Sequence, residues 1–128
     1  MKYDIYQIQL TEEQRDDINS SEVMPKWYKS YMDMRMNAGE SAIMSILHMY
    51  KPVATIEAKD LDDVFEIGNI GPESAIERLD RMSSISVGDI IISYTGTVSL
   101  VKSLGFEEML NVDKNKMKNN ENKPLQSA

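Results

Sequence analysis

No cysteine occurs among the 128 residues, which excludes disulfides, thiol catalysis and every zinc site built on thiolates. A single histidine, His48, is too few for a multi-histidine metal centre. No apolar run approaches the roughly 20 residues that span a bilayer, so no membrane helix is expected. The opening Met1-Lys2-Tyr3-Asp4 turns acidic at once and does not read as a signal peptide. Basic charge is short as well: 14 Lys and Arg face 21 Asp and Glu, for a net charge of −7. These absences point to a cytoplasmic protein without metal, cofactor or membrane anchor.

The charge is unevenly spread. Residues 113–128 hold four lysines against Asp113 and Glu121, a local +2, which leaves residues 1–112 at −9. A body that acidic repels phosphate backbones and anionic lipid, so direct nucleic-acid binding is disfavoured. A basic partner surface suits it better. The simpler reading is that the acids keep the chain soluble.

At this length about two-thirds of the unfolded surface is buried on folding, enough for one domain over residues 1–112. Residues 2–10 alternate, with Tyr6, Ile8 and Leu10 on one side and Tyr3 and Ile5 on the other, the pattern of a first strand. Thr11 and Gln14 form a capping box that opens a short helix to about Asn19. Ser20-Ser21 offers the next cap, for a helix running through Met36 until Asn37-Ala38-Gly39 breaks it. Ile43, Ile46, Leu47 and Tyr50 then have the spacing of an amphipathic helix. With its predecessor it makes a helical insertion over about residues 20–50.

Pro52 is expected to end that helix, and residues 53–58 read as a second strand. Asp60 caps another helix, with Leu61, Val64 and Phe65 inward and Gly68 stopping it. Gly71-Pro72 predicts a further helix to about Arg81, since proline suits the first helical position. Residues 85–104 predict a hairpin turned at Thr95-Gly96, in which Ile90-Ile91-Ile92 suits a strand buried on both faces. Residues 113–128, Lys- and Asn-rich without periodicity, predict a disordered tail whose removal leaves stability unchanged. The expected fold is α+β: a small, mostly antiparallel sheet of three or four strands with several short helices on one side.

Three stretches carry a resemblance. Asp60-Leu61-Asp62-Asp63-Val64-Phe65-Glu66-Ile67-Gly68-Asn69, then Met82-Ser83-Ser84-Ile85-Ser86-Val87-Gly88-Asp89-Ile90-Ile91, then Ser103-Leu104-Gly105-Phe106-Glu107-Glu108, together resemble the YodL-like domain. The opening Tyr3-Asp4-Ile5-Tyr6-Gln7 resembles the N-termini of small proteins carrying it. The likeness covers about residues 53–109, and Gly88 stands where many members have serine, a departure compatible with the same turn. It implies an accessory protein of a phage, plasmid or conjugative element, and it brings no catalytic residues. The shared positions also read as core anchors and turns.

Few residues gather in a pattern that carries chemistry. His48 has no nucleophile near it in sequence. Asp62 and Glu66 share a helical face with the charge for a hard cation, but lack the alternating ligands and central glycine of a calcium loop. Gly71 leads into the expected helix, whose free N–H groups would hold an anion with Arg78 and Arg81 one to two turns on. The most distinctive segment is rich in methionine and aromatics: Trp27, Tyr28, Tyr31, Met32, Met34, Arg35 and Met36. Met32, Met34 and Met36 do not fit one helical face, so part of this apolar surface is expected to be exposed for a partner.

The sequence therefore predicts a small non-enzymatic binding protein of a phage or mobile element. It would occupy and inhibit a host protein, in counter-defence or host takeover, through Trp27, Tyr28, Tyr31, Met32, Met34, Arg35 and Met36. One alternative is a sponge for a nucleotide-like small molecule held by Gly71, Arg78 and Arg81. The other is a structural homo-oligomer, a homodimer module without a ligand.

Overall fold

The computed structural model describes residues 1–20, 24–37 and 39–118. Six strands form one antiparallel sheet: β1 (Lys2–Ile8), β2 (Tyr50–Glu57), β3 (Ile76–Arg78), β4 (Ile90–Ser93), β5 (Val98–Val101) and β6 (Phe106–Glu108), in the order β3-β2-β1-β4-β5-β6. The α+β class holds, but the sheet is larger than three or four strands. The additional strands, β3 and β6, are three-residue edges. Segments that short show no period in sequence.

Helices cover both faces of the sheet. α2 (Lys26–Arg35), α3 (Glu40–Ile43) and a 3-10 helix at Met44–Met49 place Met34, Ile43, Ile46 and Leu47 against Ile8, Ile90, Ile92 and Leu100. On the opposite face α4 (Leu61–Ile70) packs Val64 and Ile67 against Ile5, Val53, Ile56 and Ile91. Helices on one side only are thus ruled out. The Ile90–Ile92 run explains itself, since alternate residues enter two different cores.

Local signals were followed where the chain could satisfy them alone. Thr11 Oγ1 accepts from Gln14 N at 3.1 Å and Gln14 Oε1 from Thr11 N at 2.8 Å, opening α1 (Glu12–Ser20). Asp60 Oδ1 accepts from Asp63 N at 2.9 Å to cap α4. The cap expected at Ser20-Ser21 reaches Ser21, and the Asn37-Ala38-Gly39 break includes Ala38; both residues lie outside those described.

Tertiary pairing overrode other signals. The expected helix over residues 71–81 is one 3-10 turn, Glu73–Ala75, followed by β3, because Ile76, Glu77 and Arg78 pair with Ile56, Thr55 and Ala54. The helix ending at Pro52 tightens to 3-10 at Met44 and gives way to β2 at Tyr50, which pairs with Ile8. Gly68 does not stop α4; the helix continues to Ile70 and ends at Gly71. A Cβ on Gly68 would lie 2.3 Å from Ile85 Cδ1, so the glycine serves close packing. Phe65, placed inward by the sequence, is 41% exposed.

Pro52 falls at an irregularity of β2. Ile5 faces Ala54 and Tyr6 faces Pro52, leaving Val53 as the extra residue of a bulge. The Val53 carbonyl accepts from Leu79 N at 2.9 Å and from Asp80 N at 3.2 Å, which draws residues 79–80 onto β2.

The C-terminal boundary moves too. Lys114–Lys116 form a 3-10 turn, Met117 is 5% exposed in the first core, and Lys118 N donates to Tyr50 O at 2.8 Å. The domain therefore extends past residue 112 to Lys118, and the structureless reading fails for residues 114–118. A thioether and one backbone bond anchor them without any periodic signal. The rest of the predicted tail, residues 119–128, lies outside the described residues.

Candidate binding surfaces

α2 sorts its side chains into three rows. At about 100° per residue, Trp27, Tyr31 and Met34 share the inward row. Lys26, Lys29 and Asp33 form a polar row, with Lys29 Nζ 2.9 Å from Asp33 Oδ2. Tyr28, Met32 and Met36 follow one another at i, i+4 and i+8. Met32 is 39% and Met36 76% exposed, and Met24 before the helix is exposed as well.

The sequence prediction for this segment divides accordingly. Met34 is 1% exposed and belongs to the core, so it is not available to a partner. Trp27 and Tyr31 pack edge-to-face at 6.0 Å over that core, and Tyr28 also meets Trp27 edge-to-face, at 6.1 Å. Arg35 turns inward. Its Nη1 donates to Ser86 Oγ at 3.2 Å and Val87 O at 3.4 Å, and its Cζ sits 5.5 Å from the Tyr31 ring centroid. Tyr28, Met32 and Met36 remain as the surface row.

Beneath Arg35 lies a buried polar clamp that sequence reasoning missed. Gln7 and Asp89 are 1% and 2% exposed. Gln7 Nε2 donates to Asp89 Oδ2 and to Ser83 O, both at 3.0 Å, while its Oε1 accepts from Ser83 N at 3.1 Å. Ser86 N donates to the same Asp89 oxygen at 3.0 Å, and Arg35 Nη1 lies 3.9 Å from the other. The Tyr50 hydroxyl donates to Gly88 O at 2.5 Å. Burial pushes the Asp89 carboxyl up to about 6; the Ser86 N–H, Arg35 and Gln7 pull it back toward its ordinary value. Burial likewise raises Tyr50. One signal was available: Gln7 shares the strand face of Tyr3 and Ile5, and a polar residue on an inward face needs partners.

The predicted anion cradle does not assemble. Gly71 N donates to Ile67 O at 2.9 Å, closing α4, and Pro72 has no N–H. Arg78 Nε donates to Glu73 Oε1 at 2.7 Å, and this pairing holds the Glu73 carboxyl below its usual range. Gly71 and Arg78 line one small depression, whereas Arg81 lines another. The expectation failed with the helix it assumed: as a strand, residues 76–78 point alternate side chains to opposite faces.

Arg81 instead borders an open groove of about 510 Å³ between the end of β1, the start of α1, and residues 80–83. Arg15 and Lys51 also line it. The Asp80 carboxyl is 2.5 Å from Lys51 Nζ and is held below its ordinary value by that ammonium and by Arg81 N. Arg15 Nη2 donates to Leu10 O at 2.8 Å. Neither Arg15 nor Lys51 stands near Arg81 in sequence, so only the fold brings them together.

His48 is exposed on the 3-10 helix, and Asp62 and Glu66 are exposed on α4. Among the described residues no three His, Cys, Asp or Glu side chains converge as metal ligands. Among the same residues no helix is long and apolar enough to cross a membrane. No family model, curated protein or solved structure matches the chain.

Proposed function

We propose that the chain is a non-enzymatic binding protein of a phage or mobile element that occupies and inhibits a host protein in the cytoplasm. The observation that carries this reading is the Tyr28–Met32–Met36 row. A helix whose inward row is already packed on a core has no folding reason to set two more large thioethers in solvent. Methionine is unbranched and polarisable, so such a row adapts to an apolar groove on another protein. Lys26, Lys29 and Asp33 flank it and would form a polar rim. The mobile-element part of the proposal rests on the resemblance to YodL-like domains.

The test compares wild-type chain with a Met32→Glu, Met36→Glu variant, each purified gently from the host and weighed by native mass spectrometry. Both substitutions fall on exposed positions, so thermal melting of the variant is expected to match wild type. Wild type is expected to carry one host protein at fixed stoichiometry and the variant to lose it. A bare wild-type chain or homodimer, or a variant that keeps the same protein, overturns the reading.

A further inference from the structure

We propose that the groove bordered by Arg15, Lys51 and Arg81 binds the phosphate group of a small molecule of mononucleotide size. The chain as a whole carries −7, yet the charged residues lining this groove are three cations and one anion, a local +2. Glu12 and Glu13, which follow Thr11 in α1, are exposed and do not line it. Asp80 pairs directly with Lys51 and also attracts Arg81, so the lining as a whole keeps two uncompensated positive charges. Arg15 is steered by its bond to the Leu10 carbonyl, and a carbonyl removes no charge. Among the described residues the Arg81 guanidinium has neither an ion pair nor a hydrogen bond. Two forked guanidinium groups suit the paired oxygens of a phosphate.

The wall that carries Arg81 is held in place before any ligand arrives. Val53 O fixes Leu79 N and Asp80 N, Gln9 Nε2 donates to Arg81 O, and Gln7 grips Ser83 through both its main-chain polar atoms. Five hydrogen bonds thus immobilise a segment without regular structure, while among the described residues the guanidinium of its one cation, Arg81, makes no hydrogen bond. A pre-fixed backbone lowers the ordering cost of binding. The volume lies within the range of small-molecule sites, and half-buried Leu10 and Met82 offer apolar contact to the rest of the ligand. No groove residue belongs to α2, so this inference is independent of the partner surface.

Isothermal titration of the full chain with AMP, and with adenosine as the phosphate-free control, tests it. AMP is expected to bind at about 1 mM or tighter, adenosine not measurably, with AMP binding weakening as salt rises. Arg15→Ala with Arg81→Ala is expected to weaken AMP by about tenfold or more, since charge-assisted bonds are lost. Both side chains are exposed, so an unchanged melting temperature separates loss of binding from loss of fold. Equal affinity for adenosine, AMP affinity retained by the double variant, or no AMP binding to wild type overturns the proposal.

Discussion

Gly88 has φ +94°, and a Cβ there would lie 1.9 Å from Met34 Sδ and 2.7 Å from Met34 Cγ. Two costs therefore meet at one position, a left-handed backbone that side chains disfavour and the displacement of a buried thioether. Gly88→Ala is expected to lose about 2–4 kcal/mol in urea unfolding. In a Met34→Ala background the same change is expected to cost less, because the thioether clash is gone while the backbone strain and the 3.2 Å approach to Met34 O remain. Any residue with a Cβ at this position meets the same Met34 atoms. The sequence shows a turn at Gly88 but not Met34, 54 positions away, that makes glycine necessary.

The neighbouring residue makes a pH prediction. Asp89 titrates at about 6 in the folded chain against an ordinary value of 3.8. Between those values the folded state holds a proton that the unfolded chain has released. The contribution of this group is thus fully present below about pH 3.8 and is lost as pH rises through about 6. Asp80 acts in the opposite sense, since its carboxyl is held low. Comparing wild type with Asp89→Asn isolates the first effect: the gap is expected to move in favour of wild type on acidification from pH 7 to pH 4. By carbon NMR, Arg35→Met is expected to raise the Asp89 midpoint, because a cation favouring the carboxylate is removed. An unmoved midpoint would break the link between these two side chains.

At the scale of elements, what was legible in the sequence depended on how locally an element is specified. The capping box of α1, the Asp60 cap of α4, the alternating β1 and the buried β4 were readable because their determinants lie within a few residues. β3 was misread as helix, since a proline at the expected N1 is a helix signal whenever no strand partner is visible. The three rows of α2 were half legible: spacing alone says that Met32, Met34 and Met36 diverge, but not which one enters the core. The groove was not legible, because Arg15, Lys51 and Arg81 come from three separate parts of the chain.

The whole molecule closes with a segment that has no periodic signature. Met117 fills the core beneath Tyr50 and β5, and Lys118 N ties back to Tyr50 O. Truncation after Asp113 removes both. The expected loss is about 2–5 kcal/mol, the range for emptying a buried methionine site, read as a lower urea midpoint with a nearly unchanged slope. Met117→Ala in the full chain is expected to lose a similar amount, which separates the thioether from the length of the tail.

The strand order also sets a timetable. β1 leaves the ribosome before the other five strands of the sheet, yet its two neighbours are β2, which begins at Tyr50, and β4, which begins at Ile90. One edge of the first strand must therefore wait for some 40 further residues and the other for some 80, at about 5–20 residues per second. During that interval Ile5 and Ile8 have no sheet to enter, and an unpaired strand edge is a template for wrong partners. Chaperone demand during synthesis should accordingly peak before β4 emerges and drop once it has docked.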